Sequence, residues 1–373
     1  MQYGPQQPLT PGDPEIFCSC PVSNAVQVID GLRRRTRVPQ PPAPRRKDGR
    51  AGWIWAREWL TQRQLHGDYD QLVQELNKED RKGHKNFLRI YPELFEEMVE
   101  RLTPLLKKKD MKMRLAQEVG LKFAVTLCHL ASGNDYTSLQ YSFIVSKSSI
   151  CRFIPVVCQT IIDIYKPEVM KCPKTPEEWN DVAKRFASKW NYFNCVGALD
   201  GKNVTIKKPK GGGSLYFNYK KFHSIILMAL SDAKYKPLFV DVGAGGAGDG
   251  GTWHKCNLAR DIANNRAGLP KDRNLPNNDE PIPFHIVADD TWLMKPYSQQ
   301  SQDPTEQIYS YRLSRTRRVV ENAFGLLQMR WRVFGMTMQQ NVQRLLTNGD
   351  IEEVEGRGEK FSGVERPLGV VYP

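Results

Sequence analysis

Cys195-Val196-Gly197-Ala198-Leu199-Asp200-Gly201 reads as an apolar strand that ends on a carboxylate. A second apolar stretch, Pro237-Leu238-Phe239-Val240, leads into the loop Gly243-Ala244-Gly245-Gly246-Ala247-Gly248-Asp249-Gly250-Gly251, which is almost free of side chains and presents one carboxylate, Asp249. Strand-end carboxylates on glycine-rich turns offer oxygen ligands to Mg²⁺ or Mn²⁺, hard ions that prefer carboxylate, carbonyl and water. A third acid, Glu321, lies in the helical pattern from Tyr311 to Gly325. Two Asp and one Glu are the skeleton of a site that cleaves phosphodiesters with a divalent pair, provided that the fold brings separate elements together.

Outward from this stretch, the chain past Tyr192 alternates strand and helix patterns. Strands are expected at 193–199, 203–207, 224–232 and 237–242, a helix after Asp249, a short strand at 284–288 and a long helix at 312–331. Residues 191–334 therefore read as an α/β domain. Upstream, 53–190 is helical: Leu94, Phe95, Met98 and Leu102 form one apolar stripe, and Leu121, Val125, Cys128 and Ala131 form another. Within it, 136–162 has a helix-turn-helix pattern. Leu139 and Phe143 share one face, Ile144-Val145 makes a break, and Ser146-Lys147-Ser148-Ser149 starts a second helix on which Lys147 and Arg152 would face a DNA groove or its phosphates. Ordinary helix packing produces the same pattern.

The two ends lack apolar periodicity. Residues 1–52 are rich in Pro, Gln and Arg, with a basic block from Arg33 to Arg50 that reads as a phosphate-binding tail, a nuclear import signal or a solvated tail. Residues 335–373 read as an atypical, disordered tail. The expected fold class is thus α+β with several domains: a helical region followed by an α/β domain.

Of the 373 residues, 54 are Lys or Arg against 41 Asp or Glu, a net charge of +13 that favours a polyanionic partner such as DNA. No signal-peptide pattern and no long uncharged apolar run is read, which predicts an intracellular protein without a membrane partner. Eight scattered cysteines without a C-x-x-C pair predict reduced thiols, and His254-Lys255-Cys256 alone does not make a zinc site.

Gly197-Ala198-Leu199-Asp200-Gly201-Lys202-Asn203-Val204, with Gly212-Gly213-Ser214-Leu215-Tyr216-Phe217-Asn218-Tyr219-Lys220, resembles the nuclease domain of PIF/Harbinger-type transposases and transposase-derived nucleases. Ser224 to Leu230, Val240 to Ala244, Trp292-Leu293-Met294-Lys295-Pro296-Tyr297 and Tyr311 to Gly325 extend the likeness over about 53–340. The resemblance implies an RNase H-like DDE endonuclease domain that uses a divalent metal (Mg²⁺ or Mn²⁺), with Asp200, Asp249 and Glu321 as catalytic and metal-binding residues. It also implies a nuclear location and a separate DNA-binding partner protein. Asp241 is the rival second acid, but it sits inside an apolar strand, whereas Asp249 follows the glycines as the family's Asp does. Lys207, Lys208, Lys210, Lys220, Lys221, Arg315, Arg317 and Arg318 would line the site for the DNA backbone, the alternative for each run being a solvated face. Tyr216, Phe217 and Tyr219 are expected in the core rather than stacked on bases. Residues usual in the family are missing around Val287–Trp292, and its closing helix is absent after Gln340. The alternative reading is therefore a catalytically impaired, transposon-derived DNA-binding protein.

Overall fold

The computed structural model describes residues 58–108, 116–209, 214, 216–243, 249–276, 279–288, 297 and 303–338, with Asp249 and Gly250 described by their backbone. The basic block 33–50, Lys210 and the motif Trp292–Pro296 lie outside these residues.

β2 (Ser224–Ser231) is buried along its whole length, so it must be covered on both faces. It lies between β1 (Cys195–Thr205) and β3 (Pro237–Gly243), antiparallel to each. A small hairpin of β4 (Arg273–Asn274) and β5 (Pro281–Ile282) stands apart. β6 (His285–Val287) then joins the other edge of β1 in parallel, giving the order β3-β2-β1-β6. The sequence pattern predicts two strands, 193–199 and 203–207, with Asp200 ending the first. Instead, one continuous strand carries Asp200 in its middle, paired with Ala229. Gly201, Lys202 and Asn203 look like a break in the apolar pattern, but each pairs with β2 (Met228, Leu227 and Ile226), and the ladder overrides their local preference.

The helical layer precedes the sheet. α1 (Pro92–Leu106), α3 (Tyr136–Ser142) and α4 (Lys147–Val169) pack around α2 (Val119–Ser132), which is buried from Val119 to Ala131. Lys122 is tolerated there because its ammonium donates to the Leu106 carbonyl at 3.0 Å, satisfying the C-terminus of α1. By length and composition α4 could cross a membrane, yet Ile150, Phe153, Ile154, Val157 and Ile161 are buried and the helix packs on α1, α2 and α3. α5 (Pro176–Trp190) starts on a strong signal. Thr175 accepts from Glu178 N, Pro176 occupies the first turn, and Glu178 reaches back to Lys174 N at 2.8 Å.

α6 (Asp249–Lys255) and α7 (Asn257–Ala263) follow β3. α8 (Pro304–Arg330) lies across β1, β2 and β6 and against α5. It begins earlier than the pattern at 312 suggests, because Asp303 caps it by accepting from Thr305 N and Pro304 opens it. The fold continues past 335: Met338 is buried and forms a parallel bridge with Ile206. One apolar cluster runs from Tyr69 to Met338 and joins the helical layer to the sheet.

Burial holds the His84 and His129 imidazoles below the usual histidine range, so both are neutral in the folded protein near neutral pH. In the unfolded chain they protonate near their ordinary value of about 6.5. The stability they contribute is full above that pH and is lost as the pH falls below it. The urea midpoint should therefore drop between pH 7.5 and 5.5, and His129→Gln should shrink the drop. An equal drop in the variant would remove His129 from this account.

Candidate active site

Side chains alternate across a strand, and residues opposite one another in a ladder share a face. Asp200 pairs with Ala229, and Ala229 pairs with Val240, so these three share one face. Asp241 pairs with Met228, and Met228 pairs with Gly201, which puts Asp241 on the opposite face. Asp200 is half-buried, and its Oδ1 accepts from Gly201 N at 2.8 Å. Two residues on, Lys202 shares its face. Burial lowers the Lys202 ammonium below the usual lysine range; the charge of Asp200 pulls it back up and that of Lys220 pushes it further down. Lys202 is thus a cationic neighbour of Asp200 that the apolar pattern of the sequence does not single out, although a period of two places it there.

Asp241 belongs to a different neighbourhood. Its Oδ1 accepts from Val242 N at 2.9 Å. Gly243, on the same face by alternation, lies so close to Thr252 of α6 that a Cβ there would collide with it. The Cys256 thiol, just past α6, is raised mainly by burial and further by Asp241. α6 thus lies over the Asp241 face. Asp249 begins α6, three residues before Thr252. β3 and β1 are two strand spacings apart, roughly 10 Å, a distance that a shared metal pair with Asp200 would have to bridge.

Glu321 projects from α8 and is 41% exposed; Arg317, one turn earlier, holds its Oε1 at 2.9 Å. The three arginines leave α8 in different directions. At about 100° per residue, Arg317 and Glu321 share one flank of the apolar stripe Leu313, Thr316, Val320 and Phe324. Arg315 falls on the other flank, its guanidinium 5.4 Å from the Trp190 ring centroid, while Arg318 points away and is exposed.

The remaining basic candidates are dispersed. Lys207 and Lys208 are exposed beyond the end of β1. Lys147, at the start of α4, donates to Thr137 Oγ1 of α3 at 2.7 Å, and Arg152 Nε donates to the Ser148 carbonyl at 3.0 Å. Tyr216 is buried as expected, but Phe217 is 46% and Tyr219 76% exposed, which takes both out of the core.

β6 adds a relation that the sequence pattern hides. Its Val287 pairs in parallel with Ala198, two residues before Asp200. Two residues after Val287 the sequence reads Asp289, outside the described residues. Among the described residues, no group of three or more His, Cys, Asp or Glu side chains stands close enough to hold a metal ion. The Asp200 and Glu321 carboxylates are the hard oxygen donors that Mg²⁺ or Mn²⁺ takes.

Residues 199–348 match the sequence profile of a family described as DDE superfamily endonuclease. The match begins one residue before Asp200, takes in Glu321, and supports that superfamily, and with it a transposase-like nuclease, for the sheet-bearing part of the chain. The mixed α+β architecture fits such a domain. No curated protein and no solved structure matches the chain.

Proposed function

We propose that this protein is a divalent-metal-dependent DNA endonuclease of the PIF/Harbinger transposase type, acting through Asp200, Asp249 and Glu321 on an RNase H-like domain. The observation that carries this reading is Asp200: a half-buried carboxylate in the middle of a sheet ordered β3-β2-β1-β6, inside the segment that matches the endonuclease family. A bound divalent pair would supply an activated water and neutralise the leaving oxygen. The protein's own residues do the rest. Asp200 and Glu321 offer oxygens, Arg317 orients Glu321, and Lys202 presents a cation on the Asp200 face to a phosphate. A nuclear location and a separate DNA-binding protein partner belong to the same reading.

The β6 register favours a second assignment of the middle ligand. In the sequence Asp289, which lies outside the described residues, follows Val287 by the same two residues by which Asp200 follows Ala198, the partner of Val287. Plasmid nicking in Mg²⁺ or Mn²⁺ by the full chain, with and without EDTA, tests the function, and Asp249→Asn against Asp289→Asn decides the ligand. Loss of nicking in Asp249→Asn with an active Asp289→Asn supports Asp249, and the reverse supports Asp289. DNA binding with no cutting in either metal establishes instead the impaired DNA-binding protein that the missing residues around 287–292 suggest.

Lys147 and Arg152 on the 136–162 helix pair, with Lys207, Lys208 and Arg318, supply phosphate contacts in this reading. Each neutralised phosphate releases counterions, so five contacts should weaken binding roughly 500-fold between 50 and 200 mM salt. Fluorescence anisotropy with a labelled duplex measures this. A flat salt response, or full affinity after Lys147→Ala and Arg152→Ala together, would remove the helix pair from the interface.

A further inference from the structure

Between β1 and β2 the chain makes a tight turn, Asn218 to Phe222, whose construction is unusual for a surface loop. Asn218 N donates to the Phe222 carbonyl at 2.9 Å, Lys221 N donates to the Asn218 carbonyl at 3.0 Å, and Phe222 N donates to Asn218 Oδ1 at 3.2 Å. Beneath the turn, Asn218 Nδ2 donates to Ser224 Oγ at 2.8 Å, and Ser224 Oγ donates to Asn203 Oδ1 at 2.9 Å. Asn218 and Ser224 are buried, so this polar chain fastens the turn to β1 three residues beyond Asp200. A buried network with its partners satisfied is rigid.

What the rigid mount presents is an exposed aromatic ring. Tyr219 is 76% exposed, with the Lys220 ammonium 5.4 Å from its ring centroid, and Phe217 beside it is 46% exposed. Lys220 and Lys221 are exposed on the turn itself. Ile206 N donates to the His223 carbonyl at 2.9 Å, so Lys207 and Lys208 emerge from β1 beside the same hairpin. A flat ring held out of the core on a turn with two exposed lysines, with two more leaving the adjoining strand, has the make-up of a platform for unpaired nucleotides: the ring stacks on a base and the ammonium groups take the adjoining phosphates.

We propose that the Asn218–Phe222 turn binds single-stranded or locally unpaired DNA, with a base stacked on Tyr219 and its flanking phosphates on Lys220 and Lys221. This rests on the nucleic-acid reading of the function, and it deepens that reading by naming unpaired DNA as what lies beside the cut. The register separates the turn from Asp200 by at least the five residue steps from Asp200 to Thr205, the partner of Ser224. That is on the order of 16 Å, or a few nucleotides of strand.

The test is binding of the full chain in EDTA, so that neither metal nor cutting enters, to a labelled 20-nucleotide oligothymidine and to a blunt duplex of the same length. Tyr219→Ala should weaken oligothymidine binding roughly tenfold and leave duplex binding within about twofold, while Tyr219→Phe and Tyr219→Trp retain it. An oligothymidine carrying abasic sites at successive positions should lose its sensitivity to Tyr219→Ala at one of them. Because Tyr219 is exposed, its variants should keep the parent melting temperature, and a variant that does not is replaced in the comparison by Lys220→Ala with Lys221→Ala. The proposal is overturned if Tyr219→Ala binds oligothymidine like the parent, if it loses both DNAs equally, or if Tyr219→Phe loses as much as alanine. Intact stacking in a protein that cuts nothing overturns the nuclease reading alone.

Discussion

Asp200→Asn and Glu321→Gln should each lower metal-dependent plasmid nicking by at least about 100-fold, while Asp241→Asn leaves it within a few-fold of the parent. Replacing residues that only support metal ligands already costs about 10- to 100-fold, so removing a ligand oxygen should cost at least as much. The contrast between Asp200 and Asp241 follows from the pleat. Both are strand carboxylates accepting from the next backbone amide, yet their registers with Ala229 and Met228 put them on opposite faces. Asp241 faces the layer that holds Cys256 and Thr252. Glu321→Gln has a second consequence, because it breaks the ion pair with Arg317. That pair is a third to two-fifths exposed and contributes little to stability, so the variant should melt within a degree or two of the parent. Mn²⁺ binding followed by electron paramagnetic resonance separates ligand loss from a failure to bind DNA. An Asp241→Asn variant as inactive as Asp200→Asn would overturn the face assignment.

Much of this fold is visible in the chain because burial acts on it from both sides. The run Ser224 to Leu230 reads as a strand since both of its faces are covered, and it forms one. The helical pattern from Tyr311 onward holds because Leu313, Val320 and Phe324 keep a single stripe on the sheet. What escapes a local reading is set by partners distant in sequence. Gly201-Lys202-Asn203 looks like a turn until β2 pairs with each residue and Asn203 meets Ser224. The early start of α8 was written in Asp303-Pro304, a cap and a first-turn proline that the apolar period does not register.

The site divides in the same way. Asp200 and Glu321 stand out by their surroundings, but which of the other carboxylates can join them depends on strand order, and strand order is not a local property. The arginines diverge for a simpler reason. Arg315, Arg317 and Arg318 cluster in sequence, but an α-helix turns about 100° per residue, which sends one to Trp190, one to Glu321 and one to solvent. Tyr219 and Phe217 were expected inside because aromatic residues usually are. The turn around Asn218 holds them out, through a hydrogen-bonded chain whose members lie up to 21 residues apart.

Trp179→Ala should lower the folding free energy by about 4 kcal/mol, within the range measured for removing a fully buried large aromatic. Trp179 is fully buried in α5, and its Nε1 donates at 2.8 Å to the Ala267 carbonyl, 88 residues away. The next residue, Gly268, has φ +69° and sits so close to the Lys174 carbonyl that a Cβ would collide with it. The 267–268 segment is thus seated on the start of α5 by one indole and one missing side chain. Alanine at 179 leaves both a cavity and an unpartnered carbonyl, whereas Trp179→Phe keeps most of the packing and should lose about 1–2 kcal/mol, mainly through the hydrogen bond. Since whole domains are commonly stable by only about 5–15 kcal/mol, the alanine variant should be partly unfolded at 37 °C. α5 packs directly on β1, so its loosening should also remove nicking through loss of the strand that carries Asp200. Urea unfolding of both variants measures the shifts. An alanine variant within about 1 kcal/mol of the parent would mean that α5 is anchored elsewhere, and equal losses for alanine and phenylalanine would mean that the hydrogen bond, rather than the ring, holds the loop.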